Sequence, residues 1–229
     1  MPKRVALLQS NYIPWKGYFD IIGMVDVFIF HDDLQYTKGD WRNRNKIKTQ
    51  GGIKWLTIPC GTDENRLICQ VELKDHKWQK DHWNKIVGAY ARSEHFEEYK
   101  EFFREMYLGK EWKNLSEMNQ YMIKKIATEI LGITTKFEDT RDYILQGVKA
   151  DRVMELVKKA GATTYLSGSA AKDYLSPEDF EKAGIELEWM DYSGYPEYTQ
   201  PFPPFEHAVS IIDLIFNEGP NAKQYLKAI

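Results

Sequence analysis

A chain of 229 residues with 43% hydrophobic and 28% charged side chains has the balance of a folded globular protein, not of a disordered one. The formal net charge of −3 supplies no basic field, so bulk charge does not draw the chain to nucleic acid or to an anionic membrane. Aromatic residues reach 14%, enough both to fill a core and to line a pocket that stacks on rings or sugars.

The opening Met1–Ser10 has too short an apolar run for a signal peptide, and no run approaches the roughly 20 residues that span a bilayer. Cys60 and Cys69 form no CxxC motif and are too few for a disulfide framework. The expectation is a cytoplasmic protein with reduced thiols and no membrane insertion.

Val5–Leu8 is a short apolar run that predicts a buried strand; Asn11–Gly17 follows as a loop punctuated by Pro14 and Gly17. Helical spacing over Tyr18–Met24 leads to a second strand at Val27–Phe30, so the chain opens as a βαβ unit. Residues 34–75 read as loops and short strands, with Trp55–Ile58 β-prone and Gln70–Leu73 alternating like a half-buried strand. Three helical stretches follow at about 78–92, 95–107 and 115–131, with Ser93 and Ser116 offering caps and Gly132 a stop. The α/β pattern then returns. Strands are expected at Lys136–Asp139, Thr164–Leu166 and Leu187–Met190, and helices at Asp151–Ala160 and Val209–Phe216. Tyr192–Phe205, where prolines alternate with aromatics, is expected to be an ordered loop. The fold class is α/β, a three-layer Rossmann-like arrangement with a mostly parallel sheet, in one domain over 1–229 with a helical lobe at about 78–132.

Polar segments after strands carry the candidate chemistry, because ligands of parallel sheets bind at the carboxyl ends of strands. His31–Lys48 gathers acids, amides, basic residues and aromatics: Asp32 and Asp33 can hold an amine or hydroxyls, and Arg42 and Arg44 can grip phosphates bidentately. A solvated, salt-bridged surface loop is the other reading of this segment. The Asn11–Gly17 loop suits an anion at a helix N-terminus, although it matches neither GxGxxG nor GxxxxGK[ST]. Ser167-Gly168-Ser169 is a small turn that lets a ligand approach the backbone, without the GxSxG of a serine hydrolase. His76, His82 and His95 lack metal-ligand spacing, and no metal site is expected. His31 beside Asp32, and His207 beside Glu206, are each a histidine that an acid can orient as a general base. Cys60 is either a nucleophile or a buried structural thiol.

Read together, Gln9–Asp20, Phe30–Lys38, Trp41–Lys46, Tyr165–Gly168 and Pro203–Ala208 resemble the WbqC-like family, in order and from residue 4 to about 226. Where that family typically begins Gln-Pro-Asn, this chain has Gln9-Ser10-Asn11, a change that removes no chemical group. The resemblance implies a place in bacterial surface polysaccharide and O-antigen (lipopolysaccharide) biosynthesis, and transfer of an acyl or aminoacyl group such as glycine to an amino sugar. A weaker similarity links the opening to nucleotidyltransferases of the HIGH type, whose HxGH signature is missing from Pro14–Gly17.

The expected function is therefore acyl or aminoacyl transfer to the amine of a nucleotide-linked amino sugar. The donor would be a thioester on coenzyme A or on an acyl carrier protein. A non-catalytic nucleotide-sugar-binding scaffold and a nucleotidyltransferase-like enzyme are the alternatives. Asp32, Asp33 or the His207–Glu206 pair would deprotonate the ammonium. Substrate would be held by Asn11, Tyr12, Trp15, Gln35, Tyr36, Trp41, Arg42, Arg44, Ser167 and Gly168. Segments 11–17, 32–44 and 167–169 are expected to converge on one sheet edge, with 196–207 lying over it.

Overall fold

The computed structural model describes residues 1–228. Arg4–Leu8 (β1) and Val27–Phe30 (β2) pair in parallel across the helix Lys16–Gly23 (α1) that joins them. The chain then leaves the sheet for an antiparallel hairpin, Arg44–Thr49 (β3) and Gly52–Thr57 (β4). Helices Lys77–Tyr90 (α2), Phe96–Leu108 (α3) and Leu115–Lys125 (α4) form the lobe expected from the helical periodicity, and α4 runs on into a π turn at Ile126–Ile130. Lys136–Asp139 (β5) returns to the sheet beside β2. Lys149–Lys159 (α5) crosses over to Thr164–Ser167 (β6), and Pro177–Lys182 (α6) leads to Glu186–Trp189 (β7). Ile211–Glu218 (α7) follows the proline-rich stretch.

The five parallel strands are ordered β5-β2-β1-β6-β7. The order reverses between β1 and β6, and such a switch point opens a crevice at the carboxyl ends of the strands. Because side chains alternate across a strand, each strand feeds two cores. Ala6, Phe28, Phe30 and Leu166 pack with α1, the helical lobe and α7, whereas Val5, Leu7, Val27, Ile29 and Tyr165 pack with Val153, Leu156 and Val157 of α5 and Phe180 of α6. This is the three-layer α/β arrangement, and burial on both faces is why the strands read as unbroken apolar runs. Gly132 (φ +64°) and Gly161 (φ +68°) stop the lobe and α5 in the left-handed region that glycine adopts without a Cβ clash.

Local expectations needed three corrections. Gln70–Leu73 alternates in burial as a strand would, yet Glu72 meets Asn114 as an isolated bridge and no adjacent strand extends the pairing. Asn114, whose side chain accepts from Glu117 N, caps α4, and His95 precedes α3; Ser116 lies inside α4 with its hydroxyl on Asp32. Arg44–Thr49 is not a solvated loop but a strand, with Asn45 and Lys48 buried by hydrogen bonds to backbone and side-chain oxygens.

Candidate functional site

Two hollows lie along the carboxyl edge of the sheet. The larger, about 650 Å³, is lined by Leu7, Gln9, His31, Lys149, Arg152, Tyr165, Ser167 and Gly168 among others. Strand phase explains the membership. Leu7, Gln9, His31, Tyr165 and Ser167 continue the odd-numbered rows of β1, β2 and β6 that face α5.

The same phase separates the two aspartates after β2. Asp32 turns to the lobe side, is wholly buried, and accepts from Ser10 N at 2.7 Å, from Gln120 Nε2 at 3.0 Å and from the Ser116 hydroxyl. Those bonds tie the β1 and β2 ends to α4. Asp33 turns to the α5 side, where it accepts from Thr140 Oγ1 at 2.6 Å and pairs with Arg152 Nη2. His31 sits beside it, with Nε2 3.7 Å from Asp33 Oδ1. His31 is 8% exposed and its Nε2 has no hydrogen-bond partner among the described residues. Burial holds this imidazole below its ordinary value, against the upward pull of Asp33. The cavity wall thus carries a buried histidine beside a carboxylate that is fixed from two other directions.

The smaller hollow, about 220 Å³, is lined by Asn11, Pro14, Trp15, Trp41, Asn45 and Ala208. Its loop is held in an unusual conformation. Ile13 has φ +36°, a region that β-branched residues avoid, and Asn45 Nδ2 donates to the carbonyls of both Tyr12 (2.9 Å) and Ile13 (2.8 Å). Tyr12 N bonds the Trp41 carbonyl and Ile211 N the Pro14 carbonyl, locking the loop to its neighbours. Tyr192 stands between the hollows: its ring packs on Trp15 at 5.3 Å, and its hydroxyl lies 3.6 Å from where a Cβ on Gly168 would be.

The expected convergence is thereby divided. Ser167 and Gly168 line the larger hollow with Asp33 against its wall, while Asn11, Trp15 and Trp41 line the smaller. Tyr12 faces the core, its hydroxyl 2.9 Å from His82 Nδ1 and 2.6 Å from the Tyr107 hydroxyl. Tyr36 is 1% exposed, under Arg66 and beside Cys60. Gln35 bonds the Glu64 carbonyl on an outer loop. Arg42 pairs with Asp40 at 2.9 Å, and Arg44 lies over the Trp55 ring at 4.3 Å; neither lines either hollow. Glu206 does not orient His207, because its Oε1 accepts from Ala208 N while the His207 ring packs edgewise on Phe205. Burial and nearby Lys16 hold His207 below its usual value. The Cys60 thiol is pushed up to about 11 by burial, which leaves it protonated and unsuited to nucleophilic attack at neutral pH. Among the described residues no group of three or more His, Cys, Asp and Glu side chains is placed to hold a metal ion, and no helix is long and apolar enough to cross a membrane.

Sequence reading singled out His31 but paired it with Asp32; the alternation of β2, carried past its end, was the signal for Asp33. Arg152 and Lys149 come from a crossover helix more than a hundred residues later and carried no local signal.

The profile of the WbqC-like protein family matches residues 9–225. Over 227 residues, and 98% of each chain, the sequence is 42% identical to the uncharacterized protein Rv1507c of Mycobacterium tuberculosis (strain ATCC 25618 / H37Rv). No solved structure matches the chain. The motifs around the two hollows, Gln9–Asp20, Phe30–Lys46 and Tyr165–Gly168, fall within that match, and the chain belongs to the WbqC-like protein family.

Proposed function

We propose that this protein transfers an acyl or aminoacyl group to the amine of a nucleotide-linked amino sugar destined for bacterial surface polysaccharide. The observation that carries the reading is the buried, unpartnered His31 beside Asp33 in the wall of the 650 Å³ cavity. An ammonium group has no lone pair with which to attack, so the acceptor must first give up a proton. An imidazole kept uncharged by burial accepts that proton, and Asp33 stabilises the imidazolium that forms. Thr140 and Arg152 hold Asp33 in place for this role.

The freed amine then attacks the carbonyl carbon of a thioester on coenzyme A or an acyl carrier protein. A nitrogen–carbon bond forms and the carbon–sulfur bond breaks; the leaving sulfur takes the proton that His31 holds, and the nitrogen then sheds its second proton through the freed imidazole to water, leaving a neutral amide. Mass spectrometry against a panel of nucleotide-linked amino sugars and acyl donors tests this. The expected product is the sugar heavier by one acyl group; absence of product with every pair, or binding without turnover, overturns the reading in favour of a scaffold.

A further inference from the structure

The wall of the larger cavity that α5 supplies has a character the acid–base pair does not use. Lys149 and Arg152, both in the first turn of α5, line the cavity. Val148 precedes the helix and cannot cap it, so among the described residues no side chain accepts from the first-turn N–H groups. Lys149 itself has φ +51°, a left-handed conformation that starts the helix abruptly at the rim. No ion pair engages Lys149 among the described residues, and Arg152 uses Nη2 on Asp33 while its guanidinium carries further donors. Asp151, in the same turn, is exposed and outside the lining.

A helix end and two cations make a positive field on one wall of the cavity, and the same cavity is lined by a buried polar side chain with a ring nitrogen that no described residue bonds. That group is His31, more than nine-tenths buried, with Nε2 unbonded. Arg42 and Arg44, the residues the sequence offered for phosphate, are committed to Asp40 and to the Trp55 ring instead.

We infer that the α5 wall of the cavity binds phosphoryl oxygens, through Lys149, the free donors of Arg152 and the first-turn N–H groups of α5. This rests on the nucleotide-sugar reading for what carries the phosphate, and it fixes the direction in which such a substrate enters: diphosphate against α5, amine toward His31. Negative charge at a helix N-terminus is favoured by the helix dipole, and a lysine adds a charge-assisted contact.

Calorimetric titration with inorganic pyrophosphate tests the site without needing the sugar. Pyrophosphate should bind the intact protein, more weakly at high salt, and Lys149→Ala should weaken it roughly tenfold, the scale of one charge-assisted contact. Lys149→Arg should restore it. Lys149 is exposed, so these variants spare the core. Unchanged binding in Lys149→Ala with loss in Arg44→Ala overturns the α5 site and leaves the nucleotide reading standing. Failure of pyrophosphate to bind, with glucosamine still bound, overturns both.

Discussion

The two hollows share one sheet edge and one tyrosine between them, yet they are built in opposite ways. The larger concentrates ionisable groups: His31, Lys149 and Arg152 line it and Asp33 stands behind His31, one pair from the end of β2 and the other from the first turn of α5. The smaller offers indole walls, Trp15 and Trp41, with the amides of Asn11 and Asn45 between them. Burial explains the difference in chemical capacity. An imidazole held out of water has a lowered proton affinity, whereas amides and indoles do not titrate and can only orient a ligand. Titratable groups thus gather on the α5 side of the strands and aromatic walls on the other.

The most severe way to break this contrast is to exchange the roles by mutation. His31→Gln should lower transfer roughly 10²–10⁴-fold, the range of a lost general base, with far-ultraviolet circular dichroism unchanged. Trp41→Ala, at a residue 41% exposed, should shift KM more than kcat and leave stability within about 0.5 kcal/mol. Equal losses of kcat in both variants would show that the hollows act as one catalytic unit.

How far the sequence disclosed this edge follows from phase. Val27–Phe30 was legible as a buried strand because both faces are covered, and the phase of β2 continued three residues on is enough to set His31 and Asp33 on one side and Asp32 on the other. The hairpin was not legible from hydrophobic pattern, because buried Asn45 and Lys48 satisfy themselves on Tyr12, Ile13 and Gln200, partners distant in sequence. The Gly51-Gly52 pair was its available turn signal. Arg42 and Arg44 looked like phosphate ligands from residue type alone; what commits them elsewhere, Asp40 and the cross-hairpin Trp55, depends on tertiary placement.

Acid acts on both sides, since burial lowers the proton affinity of His31 in the larger hollow and of His82 in the core under the Asn11–Gly17 loop. Beneath the aromatic loop, His82 is 2% exposed, bonded to Tyr12, and pushed down to about 4 from 6.5. Between those values the unfolded chain binds a proton that the folded chain refuses, so stability falls as pH drops from 6.5 toward 4, by on the order of 3 kcal/mol for this group. His31 acts in the same direction. Urea unfolding across that range should be less pH-dependent in His82→Gln; an identical slope would refute the assignment. Tyr12→Phe, which strands His82 and Tyr107 without a hydroxyl partner, should cost about 1–2 kcal/mol and leave turnover within a few-fold.

The smallest expected effect separates the aromatic hollow from the strap above it. Lys16 opens α1, is 2% exposed, and donates to the Pro196 carbonyl at 3.1 Å with its ammonium 4.9 Å and 5.3 Å from the Tyr195 and Tyr198 rings. It therefore pins the 195–207 stretch that brings Ala208 to the hollow. Burial lowers its pKa from 10.5 to about 8, with Asp20 opposing. The sign follows from proton counts: between about 8 and 10.5 the unfolded state keeps the proton and the folded state has released it, so this group makes the fold more stable as pH rises through that window. Screening by the partly open strap reduces the gain to about 1 kcal/mol. Other lysines and tyrosines titrate in the same range, so the quantity to measure is the difference between the protein and Lys16→Met in chemical denaturation at the two pH values. The unmodified chain should gain on the variant as pH rises. Parallel curves would show that Lys16 keeps ordinary solvation, and that the strap is held over the aromatic hollow by its tyrosines alone.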